Sequence, residues 1–167
     1  QTNRFPFSAI VRLRNFYDHK TNSCTGTMVA SNLVLTAAHC LYDKSEGTFA
    51  NSILVYPGKN GSHNVYGSHP AHHYFVSPGY ILADWWDAHA YDWALIVMEE
   101  HVGNQTGWFE VEAPGDGELD GEIAYMIGYP NGDCSGCPYT GKNMHVGMGP
   151  FGFVAKSFFL HGIDSMH

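Results

Sequence analysis

Residues 25–30 and 33–40 read Thr25-Gly26-Thr27-Met28-Val29-Ala30 and Leu33-Val34-Leu35-Thr36-Ala37-Ala38-His39-Cys40. Both segments are apolar and rich in β-branched residues, which is typical of neighbouring strands in a hairpin. A single helical turn is predicted over residues 37–42. No segment of the chain sustains an apolar period of 3.6 residues, so a helical bundle is excluded and an all-β fold is expected.

Further short strands are predicted on both sides of this hairpin, separated by segments that contain Gly, Pro, Asn and His. They cover residues 7–13, 52–56, 71–77, 94–99, 122–129 and 152–160, with a polar loop over 14–22 and a Gly-rich, Cys-containing loop over 130–150. Residues 102–121 are acidic and loop-like, as expected of a connection between lobes. We therefore predict an N-terminal β-barrel lobe at 1–108, a connection at 109–121, and the first part of a C-terminal β-barrel lobe at 122–167.

Composition limits the partners that the chain can have. A net charge of −8 over 167 residues repels phosphate backbones and anionic lipid surfaces, so neither nucleic acid nor a membrane is an expected partner. No apolar run approaches the roughly 20 residues that span a bilayer. Four cysteines allow three pairings, and glycosylation sequons begin at Asn60 and Asn104. These features favour a secreted, extracellular protein.

The segment around His39 resembles the region of the catalytic histidine in chymotrypsin-like and trypsin-like serine proteases. In that family a strand ends in Thr-Ala-Ala-His-Cys, and the cysteine pairs with one in the preceding strand. The resemblance therefore implies a Cys24–Cys40 disulfide and a catalytic role for His39. It also implies the fold of the family, a double six-stranded antiparallel β-barrel, of which the second barrel is incomplete in this chain.

A second segment, Tyr91-Asp92-Trp93-Ala94-Leu95-Ile96-Val97, resembles the one that carries the aspartate of the catalytic triad. A carboxylate just before an apolar strand can be buried against an imidazole and accept its Nδ1 proton in a hydrogen bond. Asp92 is the predicted triad aspartate. Asp84 and Asp87 lie nearby but precede no comparable apolar run, so they are interpreted as loop carboxylates.

The strand end Gly128-Tyr129-Pro130 is similar to that of the glutamyl endopeptidase branch of the family. The last residues, 161–167, resemble the segment that leads into the Gly-x-Ser-Gly motif of the nucleophile, and they predict substrate-binding roles for Asp164, Ser165 and His167. At the position of Asp164 the family's trypsin-like members favour Lys or Arg in the substrate, whereas the Gly-Tyr-Pro feature favours Glu or Asp. The sequence therefore favours neither basic nor acidic substrate residues over the other.

The motif Gly-x-Ser-Gly occurs nowhere in these 167 residues. Three explanations stay open: a separate C-terminal chain carries the serine, the remainder of the chain lies outside this sequence, or the protein has lost activity. We favour a C-terminal partner chain, because a lobe with two or three strands cannot bury its sheet alone. The prediction is thus a secreted serine endopeptidase acting on proteins or peptides. The alternative is an inactive, protease-like binding or regulatory protein.

Two further motifs suggest other chemistry. Cys134-Ser135-Gly136-Cys137 has neither the surroundings of a thioredoxin site nor a second cysteine pair for zinc, so a small structural disulfide is predicted. His69, His72 and His73 could offer metal ligands, but no further ligand has a recognisable spacing to them. We predict no required metal and no cofactor.

Overall fold

Strand β1 (Ile10–Phe16) shows why this sequence forms a barrel. Its alternate residues Val11, Leu13 and Asn15 are fully buried, whereas Arg12 and Arg14 are only partly buried. A period of two places one set of side chains in the core and the other outside.

The computed structural model describes residues 1–115, 118–132, 139–154 and 159–161. After β1 the strands are β2 (Thr21–Ala30), β3 (Leu33–Thr36), β4 (Tyr42–Asp43), β5 (Thr48–Phe49), β6 (Ser52–Pro57), β7 (His69–Val76), β8 (Ala94–Met98), β9 (Ile123–Gly128), β10 (His145–Val154) and β11 (Phe159–His161). The helices are α1 (Pro78–Leu82) and α2 (Gly103–Thr106), with short 3₁₀ turns at Phe7–Ala9, Ala38–Cys40 and Asp87–Tyr91. No helix in these ranges is long and apolar enough to cross a membrane.

Six strands close into an antiparallel barrel in the order β1-β2-β3-β8-β7-β6. The antiparallel pairing of β3 with β8 sets Leu35 opposite Leu95 and Thr36 opposite Ala94. The end of β3 therefore lies beside the start of β8. Each of these six strands thus has a neighbour on both sides. The predicted all-β fold with an antiparallel barrel is confirmed.

The second sheet has the order β11-β10-β9, and the end of β9 lies against Thr25 of β2. The Tyr129 backbone N–H donates to Thr25 Oγ1 at 2.9 Å, and a Cβ on Gly128 would lie 2.9 Å from the same oxygen. Tyr125 and Met148 on this sheet are exposed. In the described part of the chain these three strands form an open sheet, as expected of an incomplete second barrel.

Several strands differ from the predicted boundaries. The predicted single strand at 152–160 falls on two antiparallel strands, because β10 ends at Val154 and β11 begins at Phe159. The segment at Phe7–Ala9 is a 3₁₀ turn, fixed by the buried Ser8 hydroxyl donating to the Thr106 carbonyl at 2.6 Å, and β1 extends through Phe16 into the predicted loop. Likewise β10 begins at His145, inside the predicted Gly-rich loop, because pairing with β9 supplies its hydrogen bonds despite weak local propensity.

Candidate active site

His39 lies on the 3₁₀ turn that follows β3. The Thr36 hydroxyl at the end of β3 donates to the Thr25 carbonyl at 2.8 Å, which ties the strand end to β2. Ala38 and Cys40 on either side are buried, whereas 59% of the His39 side chain is exposed. The turn therefore presents the imidazole on a rigid base.

Cys40 is the main anchor of this turn. It forms the disulfide with Cys24 that the resemblance implied, with a Cα–Cα distance of 6.1 Å. Its carbonyl accepts hydrogen bonds from Asn15 Nδ2 at 2.9 Å and from the Tyr17 hydroxyl at 3.0 Å, and both donors are buried. The backbone next to His39 is thus held covalently and by two buried side chains.

Asn15 and Tyr17 fall within residues 14–22, where the sequence predicts a polar loop, so neither was expected beside His39. The alternation Val11, Leu13, Asn15 was the signal that could have found the first of them, since it places Asn15 on the inner face of β1.

We expect Asn15→Ala to lower the free energy of unfolding by about 1 kcal/mol, because it removes one buried donor from the Cys40 carbonyl, which keeps its bond from Tyr17. Denaturant unfolding measures this loss. The matched control is Asn51→Ala, whose exposed amide donates to Asp18, and it should cost less than about 0.5 kcal/mol. Equal losses in the two variants would contradict a special role for Asn15.

Asp92 reaches His39 from the segment between β7 and β8. Its Oδ2 lies 2.7 Å from His39 Nδ1, and its Oδ1 accepts the His39 backbone N–H at 2.8 Å. An ionised carboxylate only accepts hydrogen bonds, so Nδ1 carries the proton and Nε2 of the neutral ring is free to accept one. The geometry fixes both the orientation and the tautomer of the imidazole.

Each member of the pair shifts the pKa of the other. The hydrogen bond with Asp92 raises the pKa of the His39 imidazole, and this outweighs partial burial, which acts the other way. Burial alone would raise the pKa of Asp92, but hydrogen bonds from the ring and backbone of His39 together hold that pKa below its ordinary value. The pair therefore favours an imidazolium beside a carboxylate.

An open cleft of about 300 Å³ lies beside the imidazole. Its walls include Lys44, Tyr80, Trp85 and His89 together with His39 and Asp92. Asp84 and Asp87 are exposed on the same segment, and the structure gives neither carboxylate a hydrogen bond to His39. The choice of Asp92 over these two therefore rests on its contact with the ring.

Within the described residues, the structure shows no contact between the other predicted site residues and this cleft. Asp164, Ser165, His167, Cys134 and Cys137 lie outside the described residues. Asn104 is exposed at the start of α2, and Asn60 Oδ1 accepts the Met144 backbone N–H at 3.2 Å. Glycosylation of these two asparagines stays a prediction.

A closed antiparallel barrel with an Asp–His pair at the ends of neighbouring strands is the arrangement of trypsin-like proteases, and the Trypsin family model matches residues 1–151. The chain belongs to this family. It is 35% identical to a glutamyl endopeptidase of Bacillus licheniformis over 136 residues, which cover 81% of this chain and 40% of the relative. It is 31% identical to an extracellular metalloprotease of Bacillus subtilis over 131 residues, covering 77% and 41%.

Solved structures agree with this assignment. A Glu endopeptidase in complex with MPD superposes with a TM-score of 0.84 and 29% identity, over 99% of this chain and 72% of the other. The protease Anisep of Arthrobacter nicotinovorans, at 20% identity, shares the fold with a TM-score of 0.73, over 90% and 66%. The predicted family and its glutamyl endopeptidase branch are confirmed. The chain spans about two fifths of the length of the two curated relatives.

The name of the Bacillus subtilis relative refers to a metal, which requires several free ligand atoms close together. In the described residues the one cluster of three such groups is Cys24, His39 and Cys40. Both sulfurs are joined in the disulfide and cannot act as thiolates, and His39 Nδ1 is bonded to Asp92. These residues do not fit a metal.

Proposed function

We propose that this chain is part of a serine endopeptidase. The observation that carries the proposal is the paired hydrogen bond by which Asp92 holds His39 in one tautomer beside an open cleft. In this mechanism His39 Nε2 takes the proton of a serine hydroxyl while the serine oxygen attacks the substrate carbonyl. The imidazolium, stabilised by Asp92, then gives that proton to the leaving amine, and water hydrolyses the acyl enzyme.

We infer that the nucleophilic serine is supplied from outside these 167 residues. The resemblance of residues 161–167 to the segment before Gly-x-Ser-Gly supports this, and so does the open three-stranded sheet, whose exposed Tyr125 and Met148 need a cover. A continuation of the same polypeptide and a separate C-terminal chain both meet the requirement. Peptide mapping of the isolated protein distinguishes them.

The proposed substrates are proteins or peptides with Glu at the residue before the cut bond. Support comes from the names of the Bacillus licheniformis relative and of the superposed Glu endopeptidase, and from the Gly128-Tyr129-Pro130 strand end. A set of fluorogenic peptides that differ only in Glu, Lys or Ala at this residue tests it. We expect the Glu peptide to be cleaved at least about a hundredfold better, since loss of a charge-specific contact costs several kcal/mol. A preference for the Lys peptide would instead indicate that Asp164 binds a basic side chain of the substrate.

Labelling with a fluorophosphonate tests the activity itself. Such a probe reacts only with an activated serine, so the intact protein should label at one site, and His39→Ala should abolish the reaction. Intact protein that neither labels nor cleaves any peptide would favour the inactive binding protein.

Secretion is proposed as well. The Cys24–Cys40 disulfide supports an oxidising compartment, as does the word extracellular in the name of one relative.

We also propose the lobe boundaries predicted from the sequence: an N-terminal lobe at 1–108, a connection at 109–121 and a C-terminal lobe at 122–167. Limited proteolysis tests them, because cleavage is expected within the connection.

A further inference from the structure

Lys44 connects the segment that carries His39 to the segment that carries Asp92. It lies just after β4, and its Nζ donates to the Tyr80 carbonyl at 2.7 Å and to the Ile81 carbonyl at 3.1 Å. These carbonyls are near the end of α1, where a helix lacks partners for its C=O groups, and a cation there is favoured by the helix dipole. The ammonium also lies 5.4 Å from the centre of the Tyr80 ring. One side chain thus fastens α1 to the wall of the cleft.

Helix α1 in turn contacts the residue before Asp92. The Tyr91 ring packs on Gly79 so closely that a Cβ there would lie 2.5 Å from two ring atoms. Tyr80 is buried and packs edge-on against Tyr42 of β4, with ring centres 6.4 Å apart. A displacement of α1 would therefore be transmitted to Tyr91 and from there to the carboxylate of Asp92.

We propose that Lys44 is a positioning residue of the His39–Asp92 pair, keeping Asp92 at the imidazole by holding α1 in place. Lys44 lines the same cleft, yet within the described residues it makes no hydrogen bond to either member of the pair. Its effect passes through α1 and Tyr91. The catalytic part of this role rests on the proposed function, whereas the structural part does not.

The test compares Lys44→Met, which keeps the aliphatic stem, with Lys44→Arg, which keeps the charge and the donors. Lys59→Met is the matched control, because Lys59 also lies 5.4 Å over a tyrosine ring, that of Tyr56, but away from the cleft. In the intact protein we expect Lys44→Met to lower kcat about tenfold through misplacement of the carboxylate. An NMR titration should show the pKa of His39 falling towards its ordinary value, since the bond to Asp92 weakens. Lys44→Arg should restore most of both, and Lys59→Met should change neither.

A pKa of His39 that is the same in Lys44→Met and in the unmodified protein would overturn the positioning role. If Lys44→Met does not fold, Gly79→Ala tests the same path, because its added methyl group must push Tyr91 away from α1 while Lys44 stays intact. It should lower the pKa of His39 too, and an unchanged titration would again overturn the role. If the titration shifts as expected but no variant cleaves peptides or labels with fluorophosphonate, the positioning role stands and the proposed function fails.

Discussion

Asp92→Asn is expected to lower kcat/KM for a cleaved peptide by about 10⁴-fold. The carboxylate accepts both the ring Nδ1 proton and the backbone N–H of His39. An amide in its place offers an N–H donor, which favours the tautomer whose Nε2 carries the proton and cannot accept one from a serine. The stability of the fold should change little by comparison, because Asp92 lies at the rim of the cleft with 25% of its side chain exposed.

Asp84→Asn is the matched control for this prediction. It makes the same chemical change on an exposed carboxylate of the same segment, without a contact to His39, and kcat/KM should stay within about twofold. A comparable loss in both variants would mean that the negative charge of the segment matters rather than the hydrogen bond, and the assignment of Asp92 would be wrong.

The pH dependence of kcat/KM gives an independent reading of the same pair. His39 acts as a base only when neutral, so activity rises with pH as the imidazole loses its proton. Because Asp92 raises the pKa of His39, this rise should occur above the pH at which an ordinary histidine titrates. In Asp92→Asn the residual activity should rise at lower pH. A rise at the same pH in both proteins would show that Asp92 does not set the pKa of His39.

The first barrel and its two key residues were predictable from the sequence because several signals coincide there. Residues 33–36 and 94–98 are short apolar runs of strand length, rich in β-branched residues, and this combination favours strands. Each ends or begins beside a motif residue, His39 after β3 and Asp92 before β8. The local sequence therefore placed His39 and Asp92 at the ends of two strands, and the family resemblance predicted that the two residues lie close together.

Contacts between distant segments were not predictable in this way. Two examples are the bond from Asn15 to the Cys40 carbonyl and the bonds from Lys44 to α1. The first depends on how the barrel closes, and the second on the path of residues 77–93 between β7 and β8. A lysine in a polar stretch is read as a solvated charge, since most lysines are. The first part of β10, residues 145–150, was missed for a related reason: its glycines carry little strand propensity, and pairing with the neighbouring β9 makes it a strand.

Replacing both Cys24 and Cys40 by serine is expected to lower the free energy of unfolding by about 3 kcal/mol, measured with denaturant. The bond closes a loop with a sequence separation of 16 residues that includes the hairpin of β2 and β3. Without it the unfolded chain gains conformational freedom, and the turn that carries His39 loses its covalent tie to β2. An unchanged stability would contradict a structural role for the bond.

Reduction of the unmodified protein is the control for this double variant, since it opens the same bond without introducing serine. The reduced protein and the double variant should lose the same free energy of unfolding; a larger loss on reduction would point to a further disulfide, such as one between Cys134 and Cys137. Below the unfolding temperature the double variant should keep kcat within about tenfold, because Asn15 and Tyr17 still donate to the backbone carbonyl of residue 40. A collapse of kcat in a folded double variant would instead mean that the disulfide itself positions His39, and that the two buried hydrogen bonds are not enough.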